Sequence, residues 1–245
     1  ALPAHFRKEC LRWGLAADEY RDNGGFPRQV YVREGRRLEG CYFFTAKDAL
    51  PEAEGKRPPL HSSSVTASHY ALDSHAVRKR EPGRIHLDGF FSHPTAVYTV
   101  PYGVMVPRRV ENLLFPAAVS GSHVGFSTLR MEPCWMALGE AAGTAAALAI
   151  DSRRNVRKIT VDSLQERLLR HGAVLVYLRD LKPADPDYAA VQRLALRGFF
   201  PGWEAGLDRP LDEPTARLWS SLAGREITAD GTTTRREWLR RITMD

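Results

Sequence analysis

The stretch from residue 133 to residue 150 constrains this chain more than any other part of it. Pro133 suits a first helical turn, where its missing N–H is not needed, and residues 136–150 are nearly all strong helix formers. Gly139 and Gly143 stand there among Ala141, Ala142, Ala145, Ala146 and Ala147. One face of such a helix carries almost no side-chain volume and is able to lie close to a sheet or a ligand. The plainer alternative is an ordinary buried helix.

What precedes the helix reads as sheet. From residue 65 to 106, short apolar runs alternate with Gly and Pro, the pattern of several antiparallel strands. Residues 84–91 and 96–106 are the clearest of them. Residues 29–33 are β-prone, and the pattern resumes over 38–45, after Glu34-Gly35-Arg36-Arg37. Residues 112–119 form a compact apolar run, read as a buried strand, and a polar loop over 120–130 leads from it to the long helix. Upstream, Phe6, Cys10, Leu11 and Leu15 fall at helical spacing before the turn Asp22-Asn23-Gly24-Gly25. A loop follows at 51–59. Beyond Asp151 the spacing predicts an amphipathic helix over 161–171, a linker at 182–186, and short helices at 187–197, 213–222 and 234–242. The fold expected is α+β, or mixed α/β. A β-rich region spans 1–110, a strand and the long helix fill 111–183, and 184–245 is a small helical appendage.

Composition narrows the partners. The net charge of +6 suits an anionic ligand, but no run of five or more basic residues occurs, so nucleic acid is not expected. The longest apolar stretch, 141–150, is about half of a bilayer span, so membrane insertion is not expected. The first residues have neither the basic start nor the apolar centre of a signal peptide, which favours a cytoplasmic over an exported protein. Cys10, Cys41 and Cys134 are an odd count without C-x-x-C, giving neither a disulfide framework nor a thiolate zinc site.

Several chemistries are excluded by their missing motifs. No G-x-G occurs among the nineteen glycines, which removes the dinucleotide fingerprint and the kinase glycine loop. There is no phosphate-binding G-x-x-x-x-G-K-[ST], no H-E-x-x-H and no G-x-S-x-G nucleophile elbow. In His69-Tyr70-Ala71-Leu72-Asp73-Ser74-His75 an extended backbone would put Asp73 and His75 on one face. They would then be two metal ligands or, as expected here, an oriented histidine or a sheet-edge polar cluster with no metal. Ser120-Gly121-Ser122-His123 and Ser127-Thr128-Leu129-Arg130 surround a candidate helix N-terminus, where unpaired N–H groups favour negative charge. Arg130 adds a positive charge there, and His123 is able to exchange a proton near neutral pH. An anion or cofactor site and an ordinary capped helix both remain open.

Taken in order, these elements resemble a family. They are Tyr31-Val32-Arg33-Glu34 with Arg36-Arg37, Asp73-Ser74-His75, Pro101-Tyr102, Val106-Pro107, Asn112-Leu113-Leu114, Ser120, His123, Ser127, Arg130, Pro133, and 136–145. The series resembles the C-terminal half of bacterial FAD-dependent oxidoreductases, flavoproteins of the glutathione-reductase-like type, over residues 10–172. The resemblance implies a discontinuous flavin domain in which a late strand, here 113–119, and a helix, here 133–150, close over the flavin. It implies FAD as cofactor and a small-molecule substrate. His123, His75 and Arg130 become the candidate catalytic residues, and Ser120, Ser127, Arg130, Met131, Pro133 and Tyr102 the candidate cofactor contacts. The N-terminal βαβ unit with its glycine fingerprint has no counterpart here. The expected partner is therefore that missing half, or a second copy of the chain, and tight FAD binding by this chain alone is not expected. The tail over 191–222, with Leu194, Gly198 and Thr215, loosely resembles an S-layer homology module. The competing expectation is a non-catalytic binding module that keeps a vestigial flavin half-site.

Overall fold

The computed structural model of the chain describes residues 3–28, 33–77, 81–83 and 90–244. They divide into two compact units, 1–33 and 34–245. The first holds helix α1 (Ala4–Cys10) and a 3-10 turn at Arg21–Asn23, and none of its described residues is buried. Gly24 and Gly25 close that turn at φ 64° and 77°, a conformation that glycine adopts without strain.

The second unit is α+β, as expected. Helix α2 (Ala46–Ala49) opens with a capping box between Thr45 and Asp48. Strands β1 (Ser64–Ser68), β2 (Leu72–Ser74), β3 (Phe91–His93) and β4 (Tyr98–Pro101) follow. Among the described residues they form two antiparallel pairs, β1 with β4 and β2 with β3. The helices are α3 (His123–Leu129), α4 (Glu132–Asp151), α5 (Val161–Arg170), α6 (Tyr188–Leu196), α7 (Glu213–Ala223) and α8 (Arg235–Met244).

The antiparallel character expected for residues 28–106 is present, on a smaller scale than the alternation suggested. Residues 29–32 and 84–89 lie outside the described residues. Over 38–45 there are only single bridges, Gly40 to Pro107 and Phe44 to Gly121, because Thr45 already caps a helix. The run 96–106 is strand only as far as Pro101, after which Tyr102–Met105 turns as a 3-10 helix.

The strand expected at 112–119 does not form. Asn112 enters with φ 52°, Pro116 has no N–H to give, and the segment is held by scattered bonds. Phe115 N–H donates to the Met105 carbonyl (2.9 Å), and Leu38 N–H donates to the Ala118 carbonyl (2.8 Å). Leu113 and Phe115 are exposed. The loop expected at 120–130 is instead helix α3, capped by the Ser122 side chain, which accepts from Gly125 N–H (3.0 Å).

The long helix forms where expected, but its glycines face outward. Cys134, Leu138, Ala141, Ala145 and Ala149 are buried at spacings of three and four, against β1 and α5. Gly139 and Gly143 lie on the other side, where an added Cβ would meet nothing within 4 Å. Met136 and Ile150 on that side are 74% and 77% exposed. By length and composition α4 would be able to cross a membrane; here one of its faces belongs to the core.

The helices of 161–170, 188–196, 213–223 and 235–244 stand where the spacing put them. Trp219 of α7 is fully buried between Phe199 and Phe200 and donates its indole N–H to the Phe199 carbonyl (2.8 Å). The free edge of β1 is covered by residues 174–175. Ala67 N–H donates to the Val174 carbonyl (2.7 Å), and Ser64 Oγ donates to the Leu175 carbonyl (2.8 Å). That segment is held in turn by Gln192 of α6, whose carboxamide accepts from Leu175 and Val176 N–H (2.9 Å each) and donates to the Val176 carbonyl (2.8 Å).

Candidate functional site

Residues from three distant segments meet where α3 packs on β2. Strand β2 brings Asp73 and, one residue past its end, His75, on one face as the two-residue spacing predicts. His75 Nε2 lies 3.2 Å from Asp73 Oδ2. Helix α3 brings His123 at its first position, Ser127 near its middle and Arg130 at its C-terminal cap. The loop before residue 40 brings Glu34 and Arg37.

Arg130 is turned inward. It is 2% exposed, and one guanidinium nitrogen donates to both the Asp73 carbonyl (2.9 Å) and Asp73 Oδ2 (3.0 Å). The sequence placed it in front of the long helix, where an external anion was expected; among the described residues it meets the carboxylate of Asp73. That carboxylate therefore joins Arg130 on one side and His75 on the other. Ser127 fixes the strand from behind: its Oγ accepts from Asp73 N–H (3.0 Å) and donates to the Val124 carbonyl (2.6 Å).

Glu34 and His123 hold the far side of His75. His123 Nε2 lies 2.7 Å from the His75 carbonyl oxygen, and its Nδ1 lies 3.5 Å from Glu34 Oε2. Glu34 Oε1 accepts from His75 N–H (3.2 Å). The Glu34 carboxylate is only 4% exposed, and Arg37 stands 4.0 Å away with its Nε donating to the Gly121 carbonyl (3.1 Å).

The other expected residues do not join this cluster. Ser120 and Tyr102 are buried, and the Tyr102 hydroxyl donates to the Val156 carbonyl (2.9 Å). Met131 and Pro133 sit at the start of α4, where no side chain caps the helix. With Ala67, Ser68, His69, Tyr70 and Cys134 they line a hollow of about 270 Å³. His69 Nε2 meets the Thr95 carbonyl (3.1 Å). Among the described residues no group of three or more His, Cys, Asp or Glu is placed to hold a metal. Cys134 is buried, which pushes its thiol up to about 11; Cys10 and Cys41 are exposed free thiols.

A second polar cluster lies at residues 42–61 and was not singled out by sequence. Asp48 Oδ1 accepts from the Tyr42 hydroxyl (2.5 Å) and faces His61 Nε2 (3.0 Å), while Oδ2 accepts from Thr45 N–H (2.6 Å) and Oγ1 (2.9 Å). His61 Nδ1 meets Thr99 Oγ1 of β4 (2.8 Å). Burial raises the Asp48 carboxyl, but the hydrogen bonds from His61, Tyr42 and Thr45 outweigh it and hold the carboxyl at about 2. Nothing in the spacing of Tyr42, Asp48 and His61 marks them as partners. Glu34 and Asp73 did carry a signal: both stand inside the ordered series of matching elements.

A buried Arg130, paired with a partly buried Asp73, thus stands behind the partly exposed ring of His75. A family model for FAD dependent oxidoreductases matches residues 2–168, and the chain belongs to that family. Searches of curated proteins and of solved structures returned no match.

The residues present fit a flavin in part. No side chain caps the start of α4, and a helix N-terminus favours negative charge, although Pro133 itself has no N–H to offer. Ser120, Ser127, Tyr102 and Arg130 are buried, and the last three direct their polar groups to the protein itself rather than to a ligand. A glycine-rich cradle for a pyrophosphate is missing from the sequence.

Proposed function

We propose that this chain is the C-terminal portion of an FAD-dependent oxidoreductase of the glutathione-reductase-like type, the part that closes over flavin and substrate. Bound FAD would supply the two-electron acceptor or donor. Met131 and Pro133, with the backbone N–H groups that open α4, would contact its electron-rich end. His75 is the proton-exchanging side chain toward a small-molecule substrate, and Asp73 orients its ring. Arg130 acts through Asp73, as a positioning residue. His123 acts from the other side, on the backbone of His75.

The observation that carries this proposal is the meeting of Glu34, Asp73, His75, His123, Ser127 and Arg130 in one cluster, all drawn from the matching series. The missing glycine fingerprint supports weak flavin binding by residues 1–245 alone. Equilibrium dialysis against FAD with visible spectroscopy tests it. Substoichiometric flavin on residues 1–245, with stoichiometric flavin on a product that carries a dinucleotide-binding unit, is the expected result. Residues 1–245 purified bright yellow would overturn the weak-binding part. A longer product that never takes up flavin would favour a non-catalytic module.

A further inference from the structure

The Glu34–His123 pair touches the backbone of His75 at both of its polar groups. Glu34 Oε1 takes the N–H (3.2 Å) and His123 Nε2 meets the carbonyl oxygen (2.7 Å). A carbonyl oxygen only accepts, so Nε2 must carry a hydrogen. In a neutral imidazole the other nitrogen, Nδ1, would then present a lone pair, and 3.5 Å from it stands Glu34 Oε2. Two lone pairs facing each other in a nearly dry position repel. Oε2 is buried and, among the described residues, has no hydrogen-bond donor. The approach is attractive only with a proton on Nδ1 as well.

From this ring of contacts we infer that Glu34 and His123 form a proton-dependent clamp on the His75 peptide: closed when His123 carries both ring protons, loosened when Nδ1 gives its proton up. Among the described residues the other charged groups around the clamp are Arg37, 4.0 Å from Glu34 Oε2, and the Asp73–Arg130 pair beyond His75. Arg37 is the positive neighbour of the Glu34 side chain. Asp73 is engaged by Arg130 and the His75 ring, so it does not compete for His123. Glu34 and His123 are thus positioning residues for His75. That use of the clamp rests on the proposed role of His75, whereas the clamp itself does not.

The sign of the pH effect follows from the proton count. The clamp is present at low pH and is lost as pH rises through the deprotonation of His123. Glu34→Gln separates this from a merely structural contact. The carboxamide oxygen still accepts from His75 N–H, and its NH₂ donates to a bare Nδ1, so the clamp stays closed without the extra proton. The readout is hydrogen exchange of the His75 amide in flavin-free residues 1–245, corrected for intrinsic exchange. Protection in the unsubstituted chain should fall about tenfold from the acidic to the alkaline end of the range in which the chain stays folded, the equivalent of one hydrogen bond. It should stay flat in Glu34→Gln and low throughout in Glu34→Ala. Flat protection in the unsubstituted chain, or an unchanged slope in Glu34→Gln, overturns the clamp. A clamp that titrates in a protein that never binds flavin would leave this inference standing and remove only the functional one.

Discussion

Two side chains show how the same kind of residue serves opposite ends. Arg130 is buried and Asp73 is partly buried, with a side chain 22% exposed, so removing the guanidinium leaves a largely desolvated carboxylate without its counter-charge. Arg130→Ala is therefore expected to lose on the order of 3 kcal/mol of folding stability, read as a lower urea midpoint, before any effect on turnover is considered. An unchanged midpoint would show that the pair adds nothing to the fold. Asp48 gives a pH signature of its own. Its carboxyl is held below the usual value near 4, so its contribution is full above that pH and disappears as pH falls toward about 2. Comparing Asp48→Asn with the unsubstituted chain by urea unfolding, the gap should be about 2 kcal/mol at pH 7 and close to zero near pH 2. An equal gap at both would mean that shape, not charge, is what Asn fails to supply. The sequence made Arg130 visible because it sits in an ordered series. It hid Asp73's claim on Arg130, because partners 57 residues apart leave no local spacing to read.

Elements were legible in proportion to how much of their reason is local. Helix α4 announced itself through Pro133 and its alanines, and α5, α6, α7 and α8 through their amphipathic spacing. The run 112–119 did not fulfil its apolar composition, because a strand also needs a neighbour along its whole length, and composition cannot promise one. Nor did spacing reveal which face of α4 is covered. That difference is measurable with three glycines. Gly139→Ala and Gly143→Ala meet open space and should raise stability by about 0.5–1 kcal/mol each, through helix propensity. Gly125→Ala in α3 would put its Cβ 2.5 Å from the Phe44 carbonyl oxygen and 2.7 Å from the Thr45 Cα, both backbone atoms. It should destabilise by about 1–3 kcal/mol, because α2 and α3 must separate to admit it. Thermal midpoints of the three variants should split in opposite directions. A common direction would mean that the outer face of α4 and the contact between α2 and α3 do not differ in packing.

At the scale of the whole molecule, the family match ends at residue 168, but the hydrogen bonding does not. Gln192 holds residues 175–176, and residues 174–175 occupy the outer edge of β1. Gln192→Ala should uncover that edge, and a bare strand edge is a template for pairing with another chain. Light scattering of the variant at rising concentration should show growing particles under conditions where the unsubstituted chain shows none; identical traces would mean the segment stays seated without Gln192. The helices after residue 184 thus work as a stopper. Without them, a sheet built to hold two strands would be able to go on recruiting others, from molecule after molecule.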